Sequence, residues 1–359
     1  TGPAQGTMAA RFPTLKTMDT ATHLLLHHLR DLQSPTLWLA DEQIDRTVIA
    51  AAPVRTDLFV LGNRCDVIAA MQARGIAATL SDYDLAAAPA FAQAAFRVAK
   101  EKALVHHVIN AALEKLPVGG ALALSGYKGD GTKTYIEKAA ARAGGETHIE
   151  RDGGALLGIV TRGDALGEPL DDQDYAVPRL LTLAEDFVVW SKPGIFGWKK
   201  IDEGTAFLCE HLSHVWLQPP QRVLDLGCGY GYLTIRAASA WPSATFVAID
   251  NNIAATQICA RNMAERNIVG RAACCDCGDT LNESFDAILC NPPFHQGFAH
   301  EDALTEKFLR QTQRLLQRGG RALFVVNQFI GIEKIAESLF RSVAVIARTR
   351  SFKLVVLER

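Results

Sequence analysis

From Gln221 onward, short apolar runs alternate with helix-like ones, and this alternation constrains the fold more than any other feature of the chain. QRVLDLG at 221–227 reads as a buried strand, LTIRAASAW as a helix, ATFVAID at 244–250 as a strand and IAATQICARNMAERN as a helix. FDAILCNPPF at 285–294 follows as a strand running into a loop, then DALTEKFLRQTQRLL as a helix and GGRALFVVN at 319–327 as a strand. Short buried strands separated by helices imply a parallel, doubly wound α/β sheet covered on both faces. The last two runs, SVAVIART and FKLVVLER, are only a few residues apart, which requires an antiparallel hairpin at the sheet edge.

The first half repeats the plan more weakly, with LWLA, DLFVLGN, IAATLSDYDL, GGALALSGY and LLGIVTRG as strand candidates. A shift of 200 residues aligns EKALVHHVINAALEKLPVGGALAL (101–124) with EDALTEKFLRQTQRLLQRGGRALF (301–324), with six identities that include Gly119/Gly319 and Gly120/Gly320. IEKAA and IEKIA follow the two copies in the same order, so the chain reads as a tandem duplication. The stretch GDALGEPLDDQDYAVPRL at 163–180 is rich in Asp, Gly and Pro and marks the junction. The expected layout is a tail at 1–20 with an appended stretch before Met8, a first domain at 21–170, a linker at 171–185 and a second domain at 186–359.

With 359 residues, 48% of them apolar and 21% charged, the chain is too long and too apolar for a disulfide-stapled mini-protein or a disordered tail. No window reaches the roughly 18 unbroken apolar residues of a membrane span, and the N-terminus lacks the order of a secretory signal. Eight cysteines, seven after residue 200 and most within apolar runs, fit a reducing cytoplasm better than an oxidised framework. Net charge is −2, which argues against a histone-like polyanion binder. The distribution is uneven: residues 307–359 hold 11 basic and 3 acidic side chains, net +8, a field that attracts a polyanion.

In VLDLGCGYGYL at 223–233 a buried strand ends in Asp225, and a turn of Gly227, Cys228, Gly229 and Gly231 opens into a helix. Glycines let backbone N–H groups approach a ligand. The third glycine of a dinucleotide fingerprint is replaced by Tyr232, and the acid before the turn suits an ammonium or sulfonium end better than a pyrophosphate. The next strand ends in Asp250, 25 residues later and followed by Asn251, where a carboxylate reaches a ribose diol. Asp276, beside Cys277, reads either as an acceptor for an adenine amino group or as an ordinary loop acid. After the strand FDAILC comes Asn291-Pro292-Pro293-Phe294-His295. Two prolines force extended backbone and remove two N–H groups, so the loop presents the Asn291 side chain and the Pro292 carbonyl as acceptors for an exocyclic amine, with Phe294 as a stacking face.

These motifs resemble the class I S-adenosylmethionine-dependent methyltransferases that carry an Asn-Pro-Pro-aromatic loop. The tighter resemblance is to the ribosomal RNA small subunit methyltransferase C family and its large-subunit relatives. It rests on NPPFH, on Lys192-Pro193-Gly194-Ile195-Phe196, on Asp202 at the family acid and on the terminal RSFKLVVLER. FGWKKIDEGT at 196–205 departs from the Ser-Arg-Asp-like turn that is more frequent in the family, which leaves Lys199 and Lys200 without an inherited role. The resemblance implies two tandem Rossmann-like methyltransferase domains, the N-terminal one degenerate and the C-terminal one a catalytic, seven-stranded sheet with a terminal hairpin. It implies S-adenosylmethionine as cofactor, bound by Asp225, Gly227, Cys228, Gly229, Gly231, Asp250, Asn251, Asp276, Cys277 and Asn291, with Asn291, Pro292 and Phe294 at the reacting amine and no metal. The implied product is N2-methylguanine at position 1207 of 16S ribosomal RNA, made by a cytoplasmic monomer on the 30S subunit or a late assembly particle. Large-subunit RNA, DNA adenine or protein glutamine as substrate, and a non-catalytic assembly factor, remain alternatives.

RNA needs a landing surface, and Lys307, Arg310, Arg314 and Arg318 recur at helical spacing, with Arg348, Arg350 and Lys353 on the terminal hairpin. Other features carry less. GYKGDGTKT at 126–134 places Thr132 where a P-loop needs lysine. Cys274, Cys275 and Cys277 lack a second ligand pair for zinc. His106, His107, His211 and His214 fall in helical patterns as surface or packing residues. LWLADEQID runs into acids where a cofactor turn would need bare backbone, so the first domain is expected to support the second or help hold RNA rather than bind the cofactor.

Overall fold

The computed structural model describes residues 18–184, 187–293 and 298–359, with side chains omitted at 298–302. Phe294 and His295 therefore lie outside the described residues. The first sheet contains β1 (Thr36–Ala40), β2 (Leu58–Gly62), β3 (Ala77–Leu80), β4 (Gln93–Arg97), β5 (Ala121–Tyr127), β6 (Gly144–Asp152) and β7 (Ala155–Arg162). A two-stranded hairpin of β8 (Arg179–Ala184) and β9 (Phe187–Ser191) follows, placing a strand within the segment read as a linker. The second sheet contains β10 (Arg222–Leu226), β11 (Thr245–Asp250), β12 (Gly270–Cys274), β13 (Phe285–Cys290), β14 (Leu316–Asn327), β15 (Ser342–Arg348) and β16 (Phe352–Glu358).

Both large sheets have the same strand order, β3-β2-β1-β4-β5-β7-β6 and β12-β11-β10-β13-β14-β16-β15. The internal repeat is thus a repeat of topology: five parallel strands, then an antiparallel pair whose later strand lies inside. Central strands are buried throughout, as in β1, because helices cover both faces. The edge strand β15 instead alternates exposed and half-buried residues. Each sheet carries one apolar cluster on each face, Leu37 and Phe96 against Trp38 and Val60 in the first, Leu224 and Phe324 against Val223 and Phe246 in the second.

At the carboxyl end of β1, where a ligand would enter, the first sheet is filled by its own side chains. Asp41 is buried there, Tyr83 donates its hydroxyl hydrogen to the Ala40 carbonyl at 2.6 Å, and Arg97 closes the end of β4. Burial pushes the Asp41 carboxyl up to about 7, an effect the neighbouring Arg97 opposes.

Among the described residues, the first domain touches the second around Asn63–Asp66 and around Asp82. Cys65 N–H donates to the Asn251 carbonyl at 2.9 Å and Ile253 N–H to the Asn63 carbonyl at 2.8 Å. Asp82 accepts from Tyr175 at 2.8 Å and pairs with the buried Lys192 ammonium, which lies 3.8 Å from the Tyr175 ring centre. Among the described residues, no helix is long and apolar enough to cross a membrane.

Candidate active site

The carboxyl edge of the second sheet holds an open cleft between the turn after β10 and the segment 196–205, with Asn291 on its wall. Gly227, Gly229 and Gly231 all have φ between +53° and +93°, a region that side chains disfavour. The amides of this turn are not free donors, contrary to the reading of it as a set of exposed N–H groups. Gly227 and Cys228 both donate to the Ile249 carbonyl, at 2.8 and 2.9 Å, Gly231 donates to Cys228 at 2.8 Å, and Gly229 donates to the Asp250 carboxylate at 3.0 Å. The turn contributes missing side chains instead. A Cβ on Gly229 would meet nothing within 4 Å, so that glycine leaves open space in the cleft wall.

Asp225 lies behind the turn, 1% exposed, and does not line the cleft. Its Oδ2 accepts from Thr234 at 2.6 Å, and its Oδ1 is buried without a hydrogen-bond partner among the described residues. Burial pushes this carboxyl up to about 7, the Thr234 hydrogen bond working the other way. Asp250 is also raised by burial, against backbone N–H donors from Asn252 and Gly229.

The arrangement around Asn291 is sharply defined. Its Nδ2 donates to Asp202 Oδ1 and to Thr205 Oγ1, both at 2.7 Å. Asp202 caps the helix Glu203–Cys209, also accepting from Thr205 N–H at 2.9 Å and Thr205 Oγ1 at 3.1 Å. Turning the amide over would set its carbonyl oxygen against a carboxylate, so both donor hydrogens are committed and Oδ1 remains as an acceptor.

The Methyltransferase small domain family model matches residues 186–356. The Pseudomonas fluorescens ribosomal RNA small subunit methyltransferase C is 31% identical over 273 residues, spanning 75% of this chain and 80% of its own length. The chain belongs to the ribosomal RNA small subunit methyltransferase C family. The Shewanella loihica member is 27% identical over 258 residues, 71% of this chain and 73% of its own length. The fold agrees with that of the T. thermophilus 16S rRNA N2 G1207 methyltransferase in complex with AdoMet and guanosine, with TM-score 0.80, 22% identity and coverage of 96% and 92%.

Several residues expected at the family's site are placed elsewhere. Asn251 faces the first domain, with its carbonyl accepting from Cys65 N–H and its Nδ2 3.4 Å from Asp66. Asp276 is paired with the Lys307 ammonium, so an expected adenine acceptor and an expected phosphate contact satisfy each other. Cys277 is buried beside that pair, its thiol raised by desolvation. Pro292 is buried directly after Asn291.

The basic stripe also dissolves. Arg310 pairs with Glu306 at 2.6 Å, and Arg314 donates to the Leu281 and Gly278 carbonyls at 2.6 and 2.5 Å. Arg318 lies past the end of the helix Phe298–Leu315, which runs away from the site; 18 residues at about 1.5 Å each carry it about 27 Å to the opposite sheet edge. Lys353 is 4% exposed and donates to both carboxylate oxygens of Glu333 at 2.7 Å. Among the described residues, Arg348 and Arg350 of the expected RNA contacts stay exposed at the edge that carries the cleft.

Thr205 escaped the sequence reading, although the Asp-x-x-Thr spacing of a helix N-cap was there to find it. Phe196, Lys200 and Tyr230 also line the cleft, and Lys199 lies 4.7 Å from the Trp198 ring centre. Among the described residues there is no metal-ligand cluster.

Proposed function

We propose that the chain transfers a methyl group from S-adenosylmethionine to the exocyclic N2 of a guanine in 16S ribosomal RNA, at the position-1207 type of site named for its structural relative. The observation that carries this reading is the fixed amide of Asn291: both its hydrogens are held by Asp202 and Thr205, which leaves one oriented oxygen for an amine. The cofactor's sulfonium supplies an already activated methyl.

The residues fit such a donor. Gly229 leaves bare space in the cleft, and Asp250, which accepts from Gly229 N–H, stands at the sheet edge for a ribose. The protein's main work is orientation. Asn291 Oδ1 and the Pro292 carbonyl accept the two amine hydrogens, turning the nitrogen lone pair out of conjugation with the ring. They also stabilise the positive charge that grows on nitrogen, and no strong base is needed because the resulting proton leaves to water. The target base must leave its stack to reach Asn291. We assign the reaction to a cytoplasmic monomer acting on the 30S subunit or a late assembly particle.

The test offers isotopically labelled methyl donor with 30S particles, free 16S RNA, 23S RNA, DNA and a glutamine-bearing release factor. Label in N2-methylguanine of 16S RNA supports the reading, and label only in adenine, glutamine or 23S RNA rejects it.

A further inference from the structure

Of the eleven basic residues between 307 and 359, most are already engaged. Lys307, Arg310, Arg321, Arg341 and Lys353 are in ion pairs, while Arg314 and Arg359 donate to backbone carbonyls. Arg318, Lys334, Arg348 and Arg350 are exposed and have no side-chain partner among the described residues. Arg318 is at the far edge. The other three gather where β14 and β15 end, the same edge as Asn291.

Their position relative to the site follows from the register. Cys290 on β13 is level with Phe324 on β14, and β14 continues three residues to Asn327, which pairs with Phe352 on β16. At about 3.3 Å per residue this raises the end of β14 by about 10 Å, and at about 4.8 Å per strand the tip of the β15–β16 hairpin stands about 10 Å to the side of β13. A Cβ on Gly204 would meet the Phe352 ring at 3.1 Å, so the hairpin tip packs directly against the helix turn that contains Asp202 and Thr205.

On this wall Phe329 is 82% exposed. It is held in a hydrogen-bonded loop: its N–H donates to Asn327 Oδ1 at 3.1 Å, Ile330 N–H to the Asn327 carbonyl at 3.1 Å, and Gln328 N–H to the Ser351 carbonyl at the hairpin tip at 2.8 Å. The tip is braced in turn, with Phe352 N–H donating to Thr349 Oγ1 at 2.9 Å. A solvent-facing ring on a hydrogen-bonded loop, beside three cations without partners among the described residues, is the combination that binds single-stranded nucleic acid, the ring taking an unstacked base and the cations the phosphates.

We propose that Phe329, Lys334, Arg348 and Arg350 form the landing surface for the unpaired RNA strand that flanks the target guanine. This rests on the RNA-methyltransferase reading and assigns its substrate contacts to the hairpin wall instead of the Lys307–Arg318 helix.

The experiment titrates full-length protein with 16S RNA transcript across a salt series, alongside calorimetry with S-adenosylmethionine. Phe329→Ala should weaken RNA binding about 10-fold without changing the salt slope, and Phe329→Trp should restore it. The double variant Arg348→Ala/Arg350→Ala should lower the slope of log K against log salt by about 1.4, at about 0.7 per phosphate contact to a single strand. All three should bind cofactor as the wild type does. Wild-type RNA affinity in Phe329→Ala together with a wild-type slope in Arg348→Ala/Arg350→Ala, or a larger loss in Arg310→Ala/Arg318→Ala, would overturn the proposal. Wild-type protein that binds the transcript and transfers no methyl to RNA or particles would overturn the parent reading instead, and the same titrations would still decide the wall.

Discussion

Asn291 shows how much of a residue's chemistry is set by what holds it. An asparagine at the mouth of a cleft can present either its oxygen or its nitrogen, and here Asp202 and Thr205 choose the oxygen. Removing the Thr205 hydroxyl should free the amide to rotate: Thr205→Val is expected to lower kcat about 10-fold in methyl-transfer assays while leaving cofactor affinity unchanged, with Thr205→Ser close to wild type. Equal losses in the valine and serine variants would assign Thr205 a packing role only. Asp225 gives a second expectation. Its folded pKa, about 7, lies above the 3.8 of an ordinary aspartate, so the folded state binds the extra proton and stability is lost as pH rises through that window. Denaturation of the ligand-free protein should show the stability of wild type relative to Asp225→Asn falling between about pH 4 and 7 and levelling above it. A difference that is flat with pH would show that the carboxyl is not raised.

At the scale of elements, the sequence made four of the five parallel strands of the second sheet legible because each is a short apolar run bounded by turns; the fifth, the edge strand β12 (GRAAC), is half exposed and too short on apolar residues to show. Two strands of the first sheet were not legible either. β4 is QAAFR, whose alanines read equally well as helix, and it is a strand because β1 and β5 pair with it on both sides. β6 is GGETHIERD, a largely exposed edge whose charges hide it. The hairpin carried a different trap. Lys353 looked like an RNA contact, yet strand alternation turns it inward to Glu333, a partner 20 residues earlier that spacing could not reveal. Lys353→Ala leaves that carboxylate half-buried and uncompensated, and chemical denaturation should record a loss of about 3 kcal/mol with RNA affinity retained. Weakened RNA binding at unchanged stability would restore Lys353 to the substrate surface.

Across the whole molecule, the repeat foretold two sheets of the same order, and the family resemblance explains why only one keeps an open glycine turn. The way the halves meet was not legible, because it depends on pairs such as Asp82 with Lys192 that are 110 residues apart. Lys192 begins the segment that leads through Phe196 and Lys200 to Asp202, so the first domain anchors one wall of the cleft in the second. Burial lowers the Lys192 pKa while Asp82 supports its charge. Asp82→Ala should therefore strand a buried cation, costing about 3–5 kcal/mol in denaturation and loosening the wall, visible as weaker cofactor binding in calorimetry. Full stability and affinity in that variant would make the contact incidental.

The central claim is that Asn291 orients a guanine amine toward a methyl donor. Mass-spectrometric mapping of 16S RNA after incubation with S-adenosylmethionine and either wild-type protein or Asn291→Ala tests it most directly. The account predicts a single N2-methylguanine with wild type and a rate reduced at least about 100-fold with the variant, on the scale of losing an oriented transition-state hydrogen-bonding group. An unmodified guanine with wild type, or an undiminished rate with the variant, would contradict it.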